Sequence, residues 1–152
     1  MKLEKIDLQI IRVLQEDGTL SQNGLAERVG ASPASCWRRV RALEQAGVLR
    51  ETVRLANPEA IGLTVTVFCH LRLKNHLPET TAAFEALLDL HSEIVECYAM
   101  SGDWDYVLRI VATDIASYEA FLRNKLLRNP SVSHASSAFA LSRRKYTTAL
   151  PV

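Results

Sequence analysis

A predicted helix that begins at the dipeptide Ser32-Pro33 decides the fold of the first part of the chain. It reads SPASCWRRVRALEQA over residues 32–46. Serine is a preferred N-cap residue and proline is favoured at the first helical position, so the dipeptide marks where the helix begins. At 3.6 residues per turn, three apolar side chains share one face, which we expect to be buried. These residues are Cys36, Val40 and Leu43.

The opposite face of this helix carries the features expected of a DNA-reading surface. Three arginines stand against one glutamate between Ala31 and Gln45, and small residues lie at the N-terminal end. Arginine bonds guanine edges or phosphates, and small residues allow close approach to the groove floor. The alternative is an ordinary solvated face, and the neighbouring elements favour DNA. The positions on this face are Ala34, Arg38, Arg41 and Gln45, with Ser35 nearby and Arg39 on one flank.

The elements on either side of this helix complete a winged helix-turn-helix. Apolar residues recur at helical spacing from Ile6 to Leu14, and Ser21 is a suitable N-cap for a second, short helix. After Gly47, the β-tolerant residues 48–55 predict a short two-stranded ribbon. We therefore assign residues 1–60 to a DNA-binding domain.

From Leu63 onward the apolar period changes from helical to alternating, which is typical of a strand with one buried face. The elements that follow have the order β-α-β-β-α-β, which predicts a ferredoxin-like module over residues 61–152. The chain is therefore predicted to be an α+β protein with two domains. The predicted strands lie at residues 63–73, 94–100, 104–112 and 132–141, and the helices start at Pro78 and Asp114.

Composition narrows the class of protein. The 152 residues are 48% hydrophobic and 23% charged, which indicates a folded domain rather than a disordered chain. No apolar run approaches the roughly 18 residues of a membrane span, and no signal peptide is evident, so we expect a cytoplasmic protein with no membrane partner. Three scattered cysteines predict neither a disulfide framework nor a metal site.

The formal net charge is only +1, and it is spread evenly. Residues 1–60 hold nine Lys/Arg and eight Asp/Glu, and residues 61–152 hold nine of each. Because DNA affinity grows with the number of phosphates neutralised, a single module of this kind is expected to bind weakly. We therefore expect two or more modules at fixed spacing, and hence an oligomer.

The segment SGDWDY at residues 101–106 is open to two interpretations. It is either a plain hairpin turn or a ligand loop in which Gly102 exposes backbone amides and an aspartate meets an ammonium group. The small polar residues 133–138 either form an edge strand or line a pocket. No nucleophilic, phosphate-binding or metal-binding motif occurs, so we expect no catalytic residues and no enzyme. A small ligand-binding enzyme and a sensor built on Cys36, Cys69 and Cys97 are the alternatives.

Several segments resemble the Lrp/AsnC (feast/famine) family of transcription regulators over nearly the whole length. They are LEKIDLQIIRVLQEDG at 3–18, LAERVGASPASCWRRVRALEQAG at 25–47, NPEAIG at 57–62, SGDWDY at 101–106 and KYTTALP at 145–151. The resemblance implies a sequence-specific regulator of double-stranded DNA whose DNA binding or assembly responds to a small amino acid. It also implies dimers formed through the sheets, which assemble further into octamers or similar rings.

The resemblance also implies where the effector binds and what kind of molecule it is. The segments CWRR at 36–39 and KYTT at 145–148 resemble those of a branch of the family that includes cysteine-responsive regulators. Cysteine or another neutral amino acid is therefore the expected effector, with no other cofactor. The implied effector-binding residues are Gly102, Asp103, Asp105, Tyr106, Ser136 and Ser137. For DNA, the positions that the resemblance implies are Ser32, Pro33, Ala34, Ser35, Arg38, Arg39 and Arg41.

Overall fold

The computed structural model describes residues 2–152 and divides the chain into two compact units. The first unit runs to Leu55 and also includes Arg144–Val152, and the second is Ala56–Arg143. The sequence predicted a boundary near residue 60, but not that the last nine residues belong to the first unit. Within residues 2–152, no helix combines the length and the apolar character that a membrane span requires.

Three helices form the core of the first unit: α1 (Lys5–Glu16), α2 (Gln22–Val29) and α3 (Pro33–Gln45). The ends of α2 follow the predicted signals. At its start, the Ser21 hydroxyl accepts a hydrogen bond from the Gly24 amide at 3.1 Å. Gly30 ends α2 with a φ of +67°, a left-handed conformation that favours glycine. The buried core of this unit consists of Ile10, Ile11, Leu25, Ala26, Cys36 and Leu43.

The predicted ribbon after Gly47 is wrong as a β-structure. Residues 48–57 form no strand, and the side chains of Val53 and Leu55 are exposed. The physical reason is that no glycine, proline or asparagine lies between residues 48 and 56, so the segment has no turn on which to fold back. Thr52 instead approaches the turn after α1, where a Cβ on Gly18 would lie 3.1 Å from its methyl group.

The second unit is the predicted ferredoxin-like module. Its strands are β1 (Val65–Leu73), β2 (Ile94–Ala99), β3 (Tyr106–Ala112) and β4 (Val132–Phe139), and its helices are α4 (Pro78–Leu90) and α5 (Ile115–Phe121). The sheet has the order β2-β3-β1-β4, and all neighbouring strands are antiparallel. One turn of π-helix, Leu122–Leu126, extends α5. The predicted order of elements is confirmed.

The two faces of this sheet differ sharply in burial. Alternate residues of β1, including Cys69 and Leu71, point to the helices and are completely buried with Phe84 of α4. The residues between them point the other way, where Phe68 is 42% exposed and Tyr98 of β2 is 58% exposed. We call this second side the open face. It leaves aromatic and aliphatic surface uncovered.

The last residues of the chain pack on α1 within the first unit. The Gln15 side-chain amide donates to the Leu150 carbonyl at 3.1 Å, and its oxygen accepts from the Leu150 amide at 2.7 Å. The Arg12 guanidinium donates to the Val152 oxygen. This pairing ties residues 144–152 to the helical unit, although β4 ends in the other unit.

Candidate DNA-binding and effector sites

Helix α3 begins as predicted and buries the predicted face. The Ser32 hydroxyl accepts a hydrogen bond from the Ser35 amide at 3.3 Å, and Pro33 occupies the first turn. Cys36 and Leu43 are completely buried. The N-cap and the apolar stripe together orient the helix, so that its opposite face is exposed to solvent.

The exposed face of α3 presents two of the three candidate arginines. Among residues 2–152, Arg38 makes no hydrogen bond or ion pair, and its side chain is exposed. Arg41 pairs with Glu44 at 3.4 Å, and its guanidinium lies 5.8 Å from the centre of the Trp37 ring. Of the three candidate arginines of α3, Arg38 is therefore the most available to an external partner.

Arg39 is directed toward α1 instead. Its guanidinium bonds the Asp7 carboxylate at 2.9 Å and the Glu4 carboxylate at 2.7 Å. Asp7 is 5% exposed and also accepts a hydrogen bond from the Glu4 amide at 2.8 Å. Burial by itself would raise the pKa of Asp7, but the hydrogen bonds from Glu4 and Arg39 outweigh it, so this pKa lies below its ordinary value. The Arg39 ion pairs fasten α3 to α1.

The predicted effector loop is a tight hairpin between β2 and β3. Gly102 has a φ of +101°, which side-chain-bearing residues rarely adopt. The Asp103 carbonyl accepts a hydrogen bond from the Arg72 side chain, whereas the Asp103 carboxylate is exposed and bonds no other group among residues 2–152. The guanidinium of Arg72 also lies 5.1 Å from the centre of the Trp104 ring.

Asp105 and Tyr106, two of the predicted effector residues, are engaged in the fold. The Asp105 carboxylate accepts from the Leu73 amide at 2.7 Å and lies 3.5 Å from Nε2 of His76. Tyr106 stacks on Phe84, with ring centres 4.5 Å apart, and burial raises its pKa. Both residues hold the base of the hairpin against its neighbours.

Ser136 and Ser137 lie on opposite faces of β4. Ser136 pairs in register with His70 on the open face, whereas the Ser137 hydroxyl lies 2.5 Å from the Tyr118 hydroxyl on the helix side. Burial raises the pKa of Tyr118 far above its ordinary value, so that phenol is neutral. The two serines therefore cannot line the same side of one pocket.

The cysteines do not form a pair in the described part of the chain. Cys69 and Cys97 both pair with Leu108, from opposite sides of β3, so two strand spacings, about 10 Å, separate them. That distance exceeds the roughly 7 Å limit for a disulfide, and burial raises the pKa of both thiols. No group of three metal-ligating side chains occurs among residues 2–152.

Sequence reasoning missed two residues that organise these sites. Asp7 was readable from the pair Glu4-x-x-Asp7, in which the third helical residue accepts from the N-cap amide, although its bond to Arg39 was not. Arg72 lies on the polar side of the alternating pattern in β1, and no local signal indicates its contact with a loop 31 residues away.

Comparison with known proteins identifies both units. The family model described as "Lrp/AsnC ligand binding domain" matches residues 66–150, and that described as "Winged helix-turn-helix DNA-binding" matches residues 3–50. The DNA-binding transcriptional activator DecR of Escherichia coli K12 is 35% identical over 150 residues, which cover 99% of each chain.

Two solved structures share this fold over almost their whole length. A transcriptional regulator from Neisseria meningitidis in complex with L-Met superposes with a TM-score of 0.94 at 35% identity, covering 99% of this chain and 97% of that one. An AsnC family regulator from Agrobacterium tumefaciens gives a TM-score of 0.92 at 42% identity, covering 98% and 97%.

Proposed function

The chain belongs to the Lrp/AsnC family of DNA-binding transcription regulators, and from this premise we propose that α3 reads operator DNA while the β2–β3 hairpin helps bind a small neutral amino acid. In this proposal the protein acts as a regulator and not as an enzyme. It works in the cytoplasm, where the DNA is accessible to it. The observation that carries the proposal is the exposed face of α3, on which Arg38 has no partner among the described residues.

The DNA-binding surface that we propose contains fewer residues than the set predicted from the sequence. Ala34 and Ser35 supply the small residues near the N-terminus of α3, and Arg38 and Arg41 supply the charge. Arg38 is available to a base edge, whereas Arg41 first has to leave Glu44. We assign Arg39 to positioning α3, because both of its guanidinium contacts go to α1. Ser32 and Pro33 set where the helix begins.

Regulators of this family are oligomeric, and we propose that this chain forms a homodimer through the open face of its sheet. The exposed Phe68, Val95, Tyr98 and Met100 would be covered by a second copy. The net charge of +1 supports the same view, because a weakly charged module needs a second one to bind DNA specifically. Further association into octamers or similar rings is part of the proposal.

The effector we propose is a zwitterion with an uncharged side chain. The free Asp103 carboxylate suits an ammonium group, and the glycine at position 102 leaves the hairpin amides open to a carboxylate. Asp105 and Tyr106 hold the hairpin, and of the two β4 serines only Ser136 is exposed. The L-Met complex of the Neisseria meningitidis regulator supports a neutral amino acid such as cysteine or methionine.

The test of DNA reading uses the intact chain. Duplexes that bind the wild-type protein are enriched from a random-sequence pool, and affinity for the enriched site is measured by fluorescence anisotropy. We expect Arg38→Ala to weaken specific binding by about 1–3 kcal/mol, roughly fivefold to 150-fold, with less effect on random DNA. Arg123→Ala, an exposed arginine on the π turn after α5, is the matched control and should leave the affinity unchanged. Equal affinity and specificity in Arg38→Ala and wild type would refute the assignment.

The test of amino-acid sensing is a thermal-shift screen of the twenty amino acids at millimolar concentration. A ligand that binds only the folded state raises its stability, so at least one neutral amino acid should raise the melting temperature. If none does, the protein does not bind an amino acid in this way.

A further inference from the structure

We propose that Arg72 is a positioning residue for the effector site, which it shapes by clamping the β2–β3 hairpin onto the end of β1. The inference rests on the proposed function, because it concerns how the same amino-acid site is built. Arg72 lies on the open-face side of β1, and no carboxylate among residues 2–152 pairs with it. Its guanidinium is instead used on the hairpin.

The clamp has two parts. The Nε–H of Arg72 donates to the main-chain carbonyl of Asp103, and the central carbon of the guanidinium lies over the indole of Trp104, 5.1 Å from the ring centre. His70, two residues earlier on the same face, also lies beside Trp104, with ring centres 5.9 Å apart. A guanidinium can donate to a carbonyl and lie over an aromatic ring at the same time, whereas the compact ammonium of lysine is less suited to both.

It matters for effector binding which oxygen of Asp103 accepts the hydrogen bond from Arg72. Because Arg72 bonds the main-chain oxygen of Asp103 and leaves its carboxylate free, that carboxylate remains available for an ammonium group. The base of the hairpin is fixed separately, since the Asp105 amide donates to the Leu71 carbonyl at 2.9 Å and the Leu73 amide donates to Asp105 at 2.7 Å. Arg72 therefore orients the tip of the hairpin, where the free groups lie.

The same stretch of β1 also holds the beginning of β4. The Ser133 hydroxyl lies 3.1 Å from the carbonyl oxygens of both Arg72 and Leu73, and the main-chain amide of Lys74 donates to the Ser131 carbonyl at 2.9 Å. The end of β1 is thus a common support for the hairpin and for the last strand. Preorganising a loop in its binding conformation raises affinity without adding any contact to the ligand.

The experiment compares Arg72→Lys with Arg109→Lys. Lysine keeps the positive charge but loses the planar guanidinium and the Nε–H. Arg109 faces the same side of the sheet from β3, where it pairs with Glu96 at 2.6 Å. Both variants are made in a Trp37→Phe background, so that Trp104 is the one remaining tryptophan. Its emission and its quenching by acrylamide report the state of the hairpin, and far-UV circular dichroism checks that the sheet is folded.

We expect Arg72→Lys to change the Trp104 emission and increase its quenching, and to raise the Kd roughly tenfold for L-methionine and for the amino acid that most stabilises the wild type. Arg109→Lys should change neither. Unchanged Trp104 emission, or an unchanged Kd, would overturn the inference while leaving the proposed function standing. If the wild type itself binds no amino acid, the proposed function fails first and the inference fails with it.

A double-mutant cycle gives an independent test that does not depend on fluorescence. Trp104→Leu removes the aromatic ring over which the Arg72 guanidinium lies, so its effect on the Kd should overlap with that of Arg72→Lys. The double variant should bind about as weakly as the weaker single variant. Fully multiplicative losses would show that the two residues act separately and would overturn the clamp.

Discussion

Replacing Asp7 by asparagine should destabilise the DNA-binding unit more than any other single removal of charge from it. The Asp7 carboxylate makes two charge-assisted hydrogen bonds, to the Glu4 amide at 2.8 Å and to Arg39 at 2.9 Å. Asparagine keeps one oxygen acceptor but loses the charge, so about one such bond is lost, worth about 2 kcal/mol. For a unit of this size that corresponds to a melting temperature lower by on the order of 10 °C.

The assay follows unfolding of the first unit through Trp37, in a Trp104→Phe background, by urea titration at several pH values. Glu4→Gln is the matched control, because its carboxylate contacts the same guanidinium but is largely exposed. We expect a much smaller loss in that variant, since exposed ion pairs contribute little.

The pH dependence supplies a second check. Because the pKa of Asp7 is lowered in the folded state, its ionised form contributes stability above the ordinary aspartate pKa. That contribution is lost as the pH falls through the lowered value, so wild type and Asp7→Asn should converge in strong acid. Equal stability of the two proteins at neutral pH, or a difference that persists in acid, would refute the reasoning.

Two further substitutions test the second unit. Gly102→Ala places a Cβ in open space but on a backbone with a φ of +101°. We therefore expect the free energy of unfolding to fall by about 1–2 kcal/mol and amino acids to give a weaker thermal shift. Unchanged stability in a urea titration would contradict the strain argument. Tyr118→Phe removes the hydroxyl that lies 2.5 Å from Ser137 and should cost about 1 kcal/mol. Because burial raises the Tyr118 pKa, wild-type stability should fall as the pH rises above about 10, and a pH series of urea titrations should find a smaller alkaline loss in Tyr118→Phe.

The order of helices and strands was predictable because it depends on the periodicity of apolar residues, which can be read directly from the sequence. The alternation from Leu63 to Leu73 determines which side of β1 is buried, and the helical spacing around Cys36 determines which side of α3 is buried. The ribbon after Gly47 was not predictable in the same way, since β-tolerant residues need a turn and a partner strand before they form a sheet.

The candidate sites were harder to predict, because charge type does not reveal which charge is paired. Arg39 and Arg38 are neighbours with the same side chain, yet Arg39 bonds Asp7, 32 residues away, and Arg38 bonds nothing described. In the hairpin, the Asp105 carboxylate accepts a hydrogen bond from the Leu73 amide, whereas the Asp103 carboxylate bonds no described group. The residue type alone does not distinguish these two aspartates. The separation of Ser136 from Ser137 is different, because the period of two in a strand already places adjacent residues on opposite faces.

The pairing of Leu150 with Gln15 has a consequence for how the DNA-binding unit could be separated from the rest. The hydrogen bonds that join Leu150 to α1 are exposed to solvent, and Leu150 itself remains largely exposed. Covalent connection through β4 holds this segment at an effective concentration in the millimolar range, which a free peptide at micromolar concentration cannot match. A fragment that ends near residue 60 would therefore lack a part of its own unit, and adding residues 144–152 as a peptide would restore it only at millimolar excess.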